Sequence, residues 1–144
     1  MTLLQRALVS GSLAAAAVTL AVAVAGRRAA GSSAAPLNAT SHFLWGERAG
    51  REDGYSVKYT ATGFAANYGA SVFWALFYEA LPRGMPPLAR GAAVSALAYL
   101  TDYHVVPKRL TPGFELRLPG GALAAAYAAL ALGLSARDLV NSAP

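Results

Sequence analysis

The side chains best equipped for chemistry in this chain are Asp102, Tyr103 and His104, which follow Thr101 and precede Val105-Val106-Pro107-Lys108-Arg109. An aspartate and a histidine together supply the groups for metal ligation or a proton relay. Spacing argues against a shared role inside a regular helix, because residues two apart are rotated by about 200° and point nearly opposite ways. In an extended segment they would fall on one side, but Pro107 favours extension only at Val106. His42 offers a second imidazole from a distant part of the chain. Two histidines and one aspartate without close spacing do not make a metal signature, so the expected role of Asp102 and His104 is capping and ion pairing, with Lys108 or Arg109 as partners.

Three other polar residues stand inside apolar surroundings. Glu79 and Arg90 flank the short turn Pro82-Arg83-Gly84-Met85-Pro86-Pro87, so an antiparallel hairpin brings them to similar depth and predicts an ion pair between them. Asn67 sits in the middle of an apolar run and needs a hydrogen-bond partner, most simply the hydroxyl of Ser95 or Thr19.

Other catalytic signatures are missing. The chain has no cysteine, which removes disulfides, thiolate zinc sites and thiol nucleophiles. It contains no GxSxG, HExxH, P-loop or Rossmann glycine fingerprint. A chain that is not an enzyme and has no cofactor or metal is the expectation. The net charge of +5 suggests nucleic acid, but the 12 basic residues lie between apolar runs and not on one polar face, so no nucleic-acid partner is expected.

The elements that must position these residues follow from hydrophobic patterning. Hydrophobic residues make up 56% of the chain and charged ones 13%, against about 25% charged in soluble domains. Ala7 to Gly26 is a charge-free run, long enough to cross a hydrocarbon core of about 30 Å. Arg27 and Arg28 stop it. The alternative is a signal peptide with Arg6 as its n-region and Ala23-Val24-Ala25 as its cleavage site. A retained span is expected, because the run exceeds a usual h-region and the arginine pair resembles a stop-transfer flank. Residues 27–57 read as a loop carrying a short interfacial segment, His42-Phe43-Leu44-Trp45, with Trp45, Tyr55 and Tyr59 along one membrane interface. Asn38-Ala39-Thr40 matches a glycosylation sequon by chance. Further spans follow at Tyr59–Leu81, Leu88–Val106 and Gly120–Ala136, the last short and alanine-rich, and residues 137–144 read as a polar tail.

The predicted fold class is therefore all-α, a membrane-embedded antiparallel bundle of about four transmembrane helices. A single membrane domain covers residues 1–144, with spans at about 7–26, 59–81, 88–106 and 120–136. One side then carries Arg6, Arg83, Arg90 and Arg137; the other carries Arg27, Arg28, Arg48, Arg51, Lys58, Lys108, Arg109 and Arg117. The positive-inside rule places the two longer loops in the cytoplasm of a bacterial inner membrane and both termini outside. Between helices in lipid, close contact of small residues replaces hydrophobic force. Gly11/Ala15, Ala65/Gly69, Ala66/Ala70, Gly91/Ser95, Ala92/Ala96 and Ala125/Ala129, with Gly133, supply it at four-residue spacing.

At Ser41–Ala49 (SHFLWGERA), Ala70–Glu79 (ASVFWALFYE) and Thr101–Glu115 (TDYHVVPKRLTPGFE) the chain resembles a group of small uncharacterised multi-pass membrane proteins of proteobacteria, some of which carry a sodium:proline symporter label. The resemblance spans nearly the whole chain and implies location and topology. Symporters of that kind resemble two inverted repeats with helices broken at midplane, which four spans without a repeat do not build. The resemblance transfers no site residue. The expected function is thus a non-enzymatic packing or interaction protein whose partners are the lipid bilayer and a further membrane protein or a second copy. The alternatives are a small transporter or channel subunit acting as an oligomer, and an interfacial membrane enzyme using Asp102, His104 and His42.

Overall fold

The computed structural model describes residues 1–144 and is all-helical, without a strand. Six helices follow one another: α1 (Leu3–Ala30), α2 (Ala35–Thr40), α3 (His42–Trp45), α4 (Thr62–Ala80), α5 (Pro87–His104) and α6 (Gly120–Asn141). Local sequence sets the boundaries. Thr2 caps α1 reciprocally with Gln5, each side chain accepting from the other's backbone N–H, at 3.2 and 2.8 Å. Gly31 ends α1 in the left-handed conformation, φ +70°, that other residues resist. A π-helical turn at Val57–Ala61 leads into α4, its start capped by the Ser56 hydroxyl. Pro82 lies two residues beyond the end of α4, and Pro87 opens α5, where its missing N–H costs no hydrogen bond.

The four long helices alternate in direction. α1 lies between α4 and α6 along most of its length; α5 rests mainly on α6 and touches α4 little. Small residues make the close approaches. A Cβ added at Gly11 would meet the Val72 Cα at 2.6 Å, and one at Gly133 would meet the Ala14 Cα at 2.5 Å. Gly91 abuts Ala131 and Ser135 in the same way. Ala65, Gly69, Ala92 and Ala96 face outward instead and join no interface within the chain. Val18, Val22, Trp74, Tyr78, Leu130 and Leu134 fill the shared core.

Large apolar side chains face outward in this bundle as well as inward, and polar ones are buried among them. Ser10, Asn67, Ser71, Glu79, Arg90, Ser95 and Ser135 are buried, while Leu20, Phe73, Leu100 and Leu132 are each more than half exposed. α1 and α6 are long and apolar enough to cross a membrane. α4 and α5, with 19 and 18 residues, have the length but not the mean apolarity.

Three readings of the sequence change here. The fourth helix runs on to Asn141, because Arg137 and Asp138 find partners inside the bundle and do not start a polar tail. Residues 27–57 are not a loose connection: α1 continues to Ala30, and all of α2 is buried as a plug across the end of the bundle. Gly26, Gly63 and Gly113 clasp this plug. Added methyl groups there would strike Pro36, the Leu37 carbonyl and the Ala39 carbonyl. Finally, Tyr59 is buried and leaves the interfacial row, whereas Trp45 and Tyr55 stay exposed. The Lys58 ammonium lies 4.7 Å from the Trp45 ring centre, a cation–π contact available to an exposed lysine.

Candidate functional site

Two polar centres occupy opposite ends of the bundle. The first lies where α1 and α5 begin and α4 and α6 end. Glu79 accepts from Arg6 Nε at 3.2 Å, from Arg137 Nη2 at 2.9 Å and from the Ser10 hydroxyl at 2.5 Å. Arg90 donates to Asp138 at 2.6 Å and lies under the Tyr78 ring, whose hydroxyl donates to the same carboxylate at 2.9 Å. Glu79 and Arg90 are both buried, as expected of paired charges, but the predicted pair between them is not formed. Each is neutralised by a residue from a chain end: Arg6 and Arg137 for Glu79, Asp138 for Arg90. Three guanidinium groups thus share two carboxylates, a dense interhelical lock that ties all four long helices.

The second centre lies under the plug. The sparse contact between α4 and α5 leaves a cavity of about 160 Å³, with Val18, Trp74 and Leu130 among its apolar walls and Asn67, Ser71 and Asp102 among its polar ones. Asp102 accepts a 2.6 Å hydrogen bond from the Tyr127 hydroxyl. It forms no ion pair with Lys108 or Arg109, contrary to the sequence expectation: Arg109 Nε donates instead to the Phe43 carbonyl, 3.2 Å away. Pro107 turns the chain away after α5 and carries both cations out to the surface.

The histidines go elsewhere. His104 is exposed and meets only the Tyr99 ring edge-on, at 5.8 Å. The helical rotation that separates it from Asp102 is the one expected from their spacing. His42 Nε2 lies 2.8 Å from the Thr111 carbonyl, which only accepts, so that nitrogen carries a proton. Asn67 donates to the Thr19 hydroxyl at 3.2 Å, one of the two partners its position predicts, while Ser95 donates to the Tyr127 carbonyl.

Around the cavity, the two connections at this end interlock. Glu115 accepts from Tyr103 at 3.0 Å and from Thr111 at 2.6 Å; Arg117 pairs with Asp53 at 2.6 Å. Asn38 is the hub of the plug, donating to the carbonyls of Glu52 and Gly54 and accepting from Thr60. Sequence reading missed Tyr127, Trp74 and Asn38 as members of this end, and Arg6, Arg137 and Asp138 at the other. A signal existed for the last two: a charged pair immediately after an apolar run, on the side of Glu79 and Arg90. Compared with protein-family models, with curated proteins and with solved structures, the chain matches none.

Proposed function

We propose that this chain is a four-span integral membrane protein whose bundle binds and does not catalyse, with its plugged end in the cytoplasm and both termini outside. The observation that carries this reading is the apolar exterior, with large apolar side chains on the outward faces of all four long helices, while serines, an asparagine and paired charges are buried within. In water such a surface would aggregate, whereas in lipid it is the favourable one. α4 and α5, too polar to insert well alone, are acceptable as a hairpin because their polar groups face neighbouring helices. Charge supports the orientation. The end with the termini carries Arg6, Arg83, Arg90 and Arg137, whereas twice as many lysines and arginines, from Arg27 to Arg117, lie at the plugged end. Separate contacts for His42, Asp102 and His104 favour binding over interfacial catalysis.

The second reading is a small transporter or channel subunit acting as an oligomer, and the cavity beside Asp102 is the observation that favours it.

The absence of cysteine makes the test direct. Arg83→Cys should react with a membrane-impermeant maleimide in intact spheroplasts, and Gly54→Cys only after permeabilisation. The opposite pattern overturns the orientation, and recovery of the chain in the soluble fraction after carbonate washing overturns the membrane reading.

A further inference from the structure

We propose that the cavity between α4, α5 and α6 is a binding site for a small organic ammonium ion, with Asp102 as its counter-charge. The proposal deepens the binding role given above and rests on it. Its space, about 160 Å³, is near that of an engineered cavity that admits benzene, and fits a molecule of roughly six to ten non-hydrogen atoms.

Hydrogen-bond arithmetic on the wall sets the chemistry of that molecule. The hydroxyls of Thr40, Thr111 and Tyr127 all donate elsewhere, to the Pro36 carbonyl, to Glu115 and to Asp102. Acceptors are left over. The second Asp102 oxygen has no partner; Asn67 donates one amide N–H to Thr19 and keeps its other N–H and its carbonyl oxygen free; the Ser71 hydroxyl, on a residue only 2% exposed, makes no hydrogen bond. Asn67 and Ser71 can therefore donate or accept, but the free Asp102 oxygen of an ionised carboxylate only accepts, so a ligand that meets it must bring a donor.

Charge points the same way. No lysine or arginine pairs with Asp102, nor with Glu115 just behind it, so this end of the interior carries negative charge that the protein itself does not neutralise. A half-buried carboxylate without a counter-ion is costly, and a bound cation removes that cost. Trp74 lines the same space, and an indole is the best aromatic neighbour for an ammonium group. The remaining apolar wall suits a hydrocarbon body, which gives the ligand class: a primary amine, protonated, on a ring or short chain.

The chain has two tryptophans, so Trp45→Phe leaves Trp74 as the sole reporter. With the full chain in neutral maltoside micelles, phenethylammonium should change Trp74 emission saturably. Phenylacetate and phenylethanol, similar in size without the positive charge, should bind at least tenfold more weakly. Asp102→Asn should weaken phenethylammonium binding at least tenfold, and Ala126→Leu, which fills the cavity, should abolish saturation. Equal responses to the three probes, or no saturable response, overturn the proposal, and so does unchanged affinity in a folded Asp102→Asn protein. If Asp102→Asn does not accumulate, the comparison among probes on the Trp45→Phe protein decides alone. Binding in micelles is independent of maleimide labelling in cells, so either result can fail without the other.

Discussion

Gly63 has no side chain because the Leu37 carbonyl oxygen occupies the place where one would stand. The contact joins the start of α4 to the middle of the plug, and backbone meets backbone, so no rotamer change relieves an intrusion. Gly63→Ala should therefore unseat α2 and cost about 3 kcal/mol, at the upper end of the range for overpacking. Gly69→Ala, on the same helix with open space around it, should gain about 0.5–1 kcal/mol from helix propensity. Thermal unfolding of the two variants in micelles checks both signs.

The lock at the terminal end predicts an order of membrane abundance. Glu79→Ala leaves Arg6 without an acidic partner and Arg137 with Asp138 alone, and should lower abundance strongly, since losing one member of a buried pair costs about 3–5 kcal/mol. Adding Arg137→Ala should restore part of the loss. Adding Arg90→Ala should restore less than adding Arg137→Ala, because Arg90 still holds Asp138 in the single variant and is not the cation that Glu79 leaves behind. Quantitative immunoblotting of membranes ranks the three; fuller restoration by Arg90→Ala than by Arg137→Ala would mean that Glu79 and Arg90 pair after all.

Asn67 and Thr19 should couple across the α1–α4 interface. A double-mutant cycle with Asn67→Ala and Thr19→Ala should give about 0.6 kcal/mol, the usual size of a hydrogen bond between helices in membranes. Additive effects would remove the 3.2 Å contact from the account.

The two histidines should separate cleanly. His104→Gln, at an exposed site, should change stability by no more than about 0.5 kcal/mol. His42→Ala should cost about 1 kcal/mol, because it removes the bond to Thr111 that holds the connection before α6. Thermal unfolding of both variants in micelles checks this, and a larger loss at His104 than at His42 would reverse the assignment.

Much of the scaffold was readable in the residues. The four long helices fall where charge is sparse between Arg6 and Arg27, Lys58 and Arg83, Arg90 and Asp102, and Arg117 and Arg137, since helices with apolar faces and small residues at their contacts leave little room for ions. Asn67 found a predicted partner because a buried amide in an apolar run has few hydroxyls to choose from. The pairing of Glu79 was misjudged for a physical reason: hairpin geometry considers two helices, whereas four converge at that depth. The plug was invisible. Ala35–Thr40 is too short for periodicity, and what buries it are glycines on three other segments, so neither Asn38 nor the cavity beneath left a local pattern.

The seat of the plug also sets a schedule for biosynthesis. Gly26, Gly63 and Gly113 emerge from the ribosome far apart in time, with α4 and α5 made between the second and third. Until Gly113 has been synthesised, α2 has only part of its socket. The cavity end therefore closes last, and a chain halted before residue 113 carries α2 in a socket that lacks one of its three walls.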